Sequence, residues 1–191
     1  MIAEKVKADV DEILLDSCYK KLDDVPLTLL AYINKNRVAQ FTPPPLSDRN
    51  DRDAALECFA NWAALHEPTA FGVVSSSWFT RGNPEVAPSQ NPDRQEAVIT
   101  YIVTKDRQCS LDILAIGRDQ DGLMNSFSPL ERTVNEKNEG YLSSLVENSF
   151  VLSENLHRLD DDEIKDARAS LKAWAEYSRA LDFLCIRQCG E

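Results

Sequence analysis

Four residues near the middle of the chain have the types and the spacing to do chemistry: Trp78, Asp93, Arg94 and Glu96. The last three belong to "PSQNPDRQEAVITYIV", Pro88 to Val103, which begins as a loop and ends as a strand. Arg94 carries a planar fork of donors that can hold a carboxylate or clamp carbonyls. Glu96 stands two residues on, so in an extended chain the two side chains share a face and can pair. Asp93 can accept hydrogen bonds from loop amides, and Pro88 and Pro92 stiffen the loop by fixing φ. With the ring of Trp78, this set suits a recognition site or a hydrolytic one. Hydrolysis asks for a nucleophile with a base, a pair of carboxylates or a metal. Ser75, Ser76 and Ser77 offer hydroxyls, but no G-x-S-x-G elbow surrounds them. A plainer reading stands beside both: a rigid, self-bonded loop that sets the register between the strand of Trp78 and the strand of Val98.

Other chemistry finds little footing. His66 and His157 are the two histidines, and no motif surrounds either. The chain has no Walker loop, H-E-x-x-H or G-x-G-x-x-G, and six glycines are few for a phosphate cradle. Its five cysteines, Cys18, Cys58, Cys109, Cys185 and Cys189, are scattered without a C-x-x-C, as in a reduced, cytoplasmic protein with buried thiols. Neither a metal site nor a cofactor is expected. The acidic run Asp160 to Glu163 reads as a helix start, where free amides and the dipole favour carboxylates. Pro43, Pro44 and Pro45 end a strand, and no basic residue closely flanks them to make an SH3-type ligand.

Trp78, followed by a loop and then by Pro88, Ser89, Pro92, Asp93, Arg94, Glu96 and Ala97, resembles an uncharacterised family of small bacterial and phage proteins. In that family a Ser-Glu-Ala-Trp-like strand end precedes Pro-Ser-x-x-Pro-Asp-Arg-x-Glu-Ala. The likeness covers about residues 25–120, and Ser76 stands where the first motif has its glutamate. The resemblance implies a bacterial or phage setting and brings no reaction with it.

The formal net charge is −11, spread through both halves of the chain. Such a surface repels phosphates, so direct binding of nucleic acid is disfavoured and a basic protein partner is favoured. No run approaches the roughly 18 apolar residues of a membrane span, and the N-terminus lacks the apolar region of a signal peptide.

The elements that must position these residues follow from periodicity. Ile2, Val6, Val10, Ile13, Leu14 and Cys18 predict a first amphipathic helix over 3–22. Leu27 to Ile33 and Arg37 to Phe41 predict a hairpin across "NKN", Asn34 to Asn36. Ala55, Cys58, Phe59, Trp62 and Leu65 predict a central helix, starting at Asp51 or Asp53 and ended by "HEP" at His66 to Pro68. Ala70 to Phe79, Glu96 to Thr104 and Cys109 to Gly117 predict three more strands, and Gly122 closes the strand region. Residues 125–140 lack a clear period, and Tyr141 to Ser149 suggest a short helix. The last and strongest helix begins near Asp160, with a heptad-like seam of Ile164, Ala167, Leu171, Trp174, Ser178, Leu181 and Cys185.

The expected fold is therefore α+β: an antiparallel sheet of about five strands with helices on one face. Residues 1–124 would form that domain, and 125–191 a helical extension packed on it through the helix of Val6, Val10 and Ile13. The expected function is a non-catalytic acidic interaction module, an inhibitor or adaptor of a basic, nucleic-acid-handling protein. The alternative is a hydrolase-type site near Trp78, Arg94 and Glu96. The chain would be a monomer, or a homodimer through its C-terminal helix.

Overall fold

Short runs such as "TLLAYI" and "AFGVV" are apolar at successive positions, and a strand of that kind must be covered on both faces. The computed structural model shows this arrangement; it describes residues 1–42, 59, 62–63, 66–80, 90–135, 141–156, 158, 160–180 and 186–188. In chain order the elements are α1 (Ile2–Tyr19), β1 (Thr28–Ile33), β2 (Asn36–Phe41), β3 (Ala70–Phe79), β4 (Gln95–Thr104), β5 (Cys109–Arg118), β6 (Met124–Val134), α2 (Tyr141–Leu156), α3 (Asp161–Ala180) and β7 (Ile186–Gln188). The strands form one antiparallel sheet in the order β6-β5-β4-β3-β1-β2-β7. The fold is α+β, with six long strands and one short one. No described helix is long and apolar enough to cross a membrane.

Alternation along β1 divides the core in two. Leu30 and Tyr32 point to a cluster with Val6, Val10 and Leu14 of α1 and with Ala70, Val74, Val98, Ile102 and Met124. Leu29 and Ala31 point to the opposite cluster, with Phe41, Phe59, Trp62, Phe71, Val73, Tyr101, Val103, Val146 and Phe150. Helical residues therefore lie on both faces, which corrects the one-face expectation. Phe59 and Trp62 lie buried and helical as the central stripe predicts. Ala55, Cys58, Leu65 and the proline triplet at 43–45 lie outside the described residues.

On the first face, Val6, Val10 and Leu14 recur every four residues and form one buried stripe. The helix can approach because Gly72 stands beneath it: a Cβ there would come 2.7 Å from Val6 Cγ1. On the second face, Phe71 meets Phe150 edge-on at 4.8 Å and Phe59 at 5.9 Å. Arg107, in the tight β4–β5 link, lies 5.2 Å over the Phe150 ring and donates from Nη1 to the Glu147 carbonyl at 3.5 Å. That turn thus fastens α2 to the sheet.

Three expectations for the C-terminal part change. Residues 124–134 are strand β6, paired with β5 along its length, so the sheet continues past residue 124. Gly122, at φ 79°, lies within the β5–β6 turn and does not end the strand region. Val6 and Val10 are buried against the sheet, so the stripe expected to receive the last helix is already covered. Asp160 does cap α3 as the acidic run predicts: its Oδ1 accepts from the amides of Asp162 and Glu163 at 3.1 and 2.9 Å, and Glu163 Oε2 accepts from the Asp160 amide at 3.0 Å. Ile164 is half-buried and Lys172 exposed. The side chains of Ala167, Leu171, Trp174, Glu176, Ser178, Arg179, Leu181 and Cys185 lie outside the described residues.

One carboxylate sits inside the first face. Asp9 is 4% exposed, and accepts from Tyr32 Oη at 2.8 Å and from Lys5 Nζ at 2.6 Å. Burial pushes its pKa up, but the Lys5 and Tyr32 hydrogen bonds and the charges of Lys5 and Arg37 outweigh this and leave it below the ordinary value of 3.8. A depressed carboxylate pKa stabilises the fold above the unfolded value, and the contribution disappears as pH falls through the folded value. Urea midpoints measured downward from pH 5 should therefore fall more steeply in the parent chain than in Asp9→Asn. Parallel curves would contradict this.

Candidate functional site

The β3–β4 register places Trp78 directly opposite Glu96. Their side chains share the α1 face of the sheet, because 74 and 98 point there and the period is two. Ile116 and Arg118 continue the same face on β5: Ala97 pairs with Ala115, so Arg118 lies diagonal to Glu96.

The end of α1 leaves this corner open. The Leu22 amide bonds to the Ser17 carbonyl at 3.1 Å and the Lys21 amide to the Cys18 carbonyl at 3.1 Å. Lys21, at φ 50°, takes the left-handed position of this Schellman stop. The chain then turns back across the sheet end. Val25 donates from its amide to Ser76 Oγ at 2.9 Å, and the Ser76 amide donates to the Val25 carbonyl at 3.3 Å. Ser76 thus ties this returning segment to β3.

Arg118 fixes the rest. Its Nε and Nη2 lie 2.7 and 2.6 Å from Glu96 Oε2; Nη2 also donates to the Asp23 carbonyl at 2.8 Å, and Nη1 to the Gly122 carbonyl at 2.9 Å. One guanidinium therefore joins β4, the β5–β6 turn and the segment after α1. The cation paired with Glu96 is Arg118, where strand spacing had suggested Arg94. Arg94 precedes β4 and follows a turn, so the two-residue strand period does not apply to it. Its guanidinium lies over the Trp78 ring instead, 4.6 Å from the centroid. Asp93 is exposed, and its amide donates to Asn91 Oδ1 at 2.9 Å; the loop residues 81–89, Pro88 and Ser89 among them, lie outside the described residues.

A cavity of about 240 Å³ opens at this corner, lined by Asp23, Asp24, Ser76, Trp78, Glu96 and Arg118 among others. Trp78 is 40% exposed. Asp24 Oδ1 accepts from the Val25 amide at 3.0 Å. Nearby, hydrogen bonds from the amides of Leu123 and then Asp121, helped by Lys21, hold the Asp119 carboxyl below its usual range. The structure thus joins Trp78, Arg94 and Glu96 into one cluster and leaves Asp93 at its margin. Sequence reasoning missed Arg118, Asp23 and Asp24. Arg118 had a signal, since Leu114, Ile116 and Arg118 alternate onto one face; the two aspartates had none beyond ending a helix.

Arg118→Ala should lower stability by about 1–2 kcal/mol. Charge-assisted hydrogen bonds are worth somewhat more than neutral ones, but this pair is partly exposed and screened. The urea midpoint checks it, and an unchanged value would contradict the fastening role. Compared with protein-family models, curated proteins and solved structures, the chain matches none.

Proposed function

We propose that this chain is a non-catalytic, acidic interaction module whose partner is a basic protein. In this reading it acts as an inhibitor or adaptor of a nucleic-acid-handling protein, in the bacterial or phage setting implied by its resemblance. The observation carrying the proposal is the Trp78 corner. There an exposed aromatic ring and a cavity lie among carboxylates. Glu96 Oε2 is held by Arg118, and Ser76 Oγ receives the Val25 amide. The net charge of −11 favours a cationic partner over phosphates.

Affinity capture from the cells that make the protein tests this. The captured partner should be basic and should be released as salt rises past about 0.15 M, where screening sets in over about 8 Å. A partner that is neutral or acidic and indifferent to salt would end the proposal.

One observation favours a hydrolase-type reading instead: Ser76, Ser77 and Glu96 line one cavity beside Trp78. Under it, Glu96→Gln would abolish a hydrolytic activity while leaving the fold intact. Under the interaction reading, the same change leaves no activity to lose.

A further inference from the structure

We propose that the cavity beside Trp78 is a receptor for one cationic side chain, a guanidinium or an ammonium, presented by the partner. This inference rests on the interaction reading and names its contact point.

Three features of the corner converge on a cation. The first is the ring. Trp78 is 40% exposed and lines the cavity, and an indole face attracts a cation. The chain already displays this preference, since the Arg94 guanidinium lies 4.6 Å from the ring centroid. Arg94 itself is outside the cavity lining, so the cavity is not filled by it.

The second feature is charge. Asp23, Asp24 and Glu96 line the cavity with Arg118 as the cation among them. Arg118 is committed to Glu96 Oε2 and to the carbonyls of Asp23 and Gly122. Both aspartates are exposed, and their carboxylates have no ion pair among the described residues. With the Arg94 guanidinium over the Trp78 ring and Arg118 committed to Glu96, an incoming cation would still meet two aspartates without an ion pair among the described residues.

The third feature is acceptor geometry. Arg118 takes one oxygen of Glu96, and Oε1 receives no hydrogen bond from the described residues. A guanidinium against the indole would find acceptors in Glu96 Oε1 and the Asp23 and Asp24 carboxylates, with Ser76 and Ser77 at the margin. About 240 Å³ holds the end of one such side chain and is small for a folded ligand.

The test uses the full chain and two small probes, N-acetyl-arginine amide and its uncharged counterpart N-acetyl-citrulline amide. The Trp78 indole N–H resonance is assigned by its loss in Trp78→Phe. The arginine probe should shift that resonance at millimolar concentration, and the citrulline probe should not. Asp23→Asn with Asp24→Asn should weaken the arginine probe at least about fivefold, from two lost partly screened charges. These aspartates are exposed, so the fold should survive, and an unchanged amide spectrum away from the corner verifies that. Equal shifts from both probes, or an affinity indifferent to the double substitution, would overturn the site. Polyarginine separates this inference from the reading beneath it. If polyarginine binds salt-sensitively and equally well to the parent chain, to Trp78→Phe and to the double variant, the basic partner docks elsewhere and only this inference fails. If the arginine probe behaves as expected on a chain that polyarginine ignores, the cavity stands and the interaction reading fails.

Discussion

Phe71→Ala is expected to lower the unfolding free energy by about 3–5 kcal/mol, the range for truncating a buried aromatic. Phe71 is wholly buried in β3 and meets Phe150 at 4.8 Å and Phe59 at 5.9 Å, both edge-on. Its ring is therefore the junction between the sheet, the helix carrying Val146 and Phe150, and the segment of Phe59 and Trp62. Truncation leaves a cavity that three separate elements must close together, and a well-packed site relaxes only partly. Phe71→Leu preserves much of the volume and should cost clearly less. Denaturant unfolding with an unchanged slope reads both. A loss below about 1 kcal/mol in Phe71→Ala would mean that α2 does not depend on this junction.

The second large effect concerns the opposite face. Gly72→Ala should cost about 1–3 kcal/mol, the usual range for forcing extra volume into a packed site. The added Cβ would stand 2.7 Å from Val6 Cγ1 and 3.4 Å from Val10 Cγ2, so α1 must shift or Val6 must rotate. The explanation is specific to one neighbour, which a double-mutant cycle isolates. In a Val6→Ala background, Gly72→Ala should be much less harmful. Additive losses would show that the cost comes from the strand backbone and not from the approach of α1.

Legibility of this fold in the sequence follows burial. Strands β1, β3, β4 and β5 are dense in apolar and β-branched residues, and all four were evident. Strand β6 was not. "MNSFSPLERTV" is an edge strand whose inward side chains are Met124 and the half-buried Phe127, so nearly every other residue meets water and no period stands out. Helix α2 was half legible for a related reason. Among its described side chains the buried ones are Val146, Ser149, Phe150 and Ser153, correctly spaced for a helix, but two of these four are serines. Coverage of both sheet faces could have been inferred from the unbroken apolar runs of β1 and β3.

The candidate site was legible in its local part. Trp78, Arg94 and Glu96 were grouped by motif, and antiparallel pairing does set Trp78 opposite Glu96. The partner of Glu96 was missed because it is 22 residues away and depends on the register of a third strand. Asp23 and Asp24 arrive by a helix stop made with Lys21 in the left-handed region, a position usually held by glycine. Their approach to Trp78 is held by bonds to Ser76, 51 residues on from Val25, and to Arg118, 95 residues on from Asp23, which no local pattern encodes.

Calorimetric titration of polyarginine into the full chain, at about 0.05 M and about 0.3 M salt, tests whether the chain recognises a cationic protein surface, as proposed. A 20-base-pair duplex DNA serves as the opposing ligand. Polyarginine should bind measurably and weaken strongly at the higher salt, with no comparable binding of the duplex, whose phosphates meet a net charge of −11. Duplex binding tighter than polyarginine binding, or polyarginine binding that salt leaves unchanged, would contradict it.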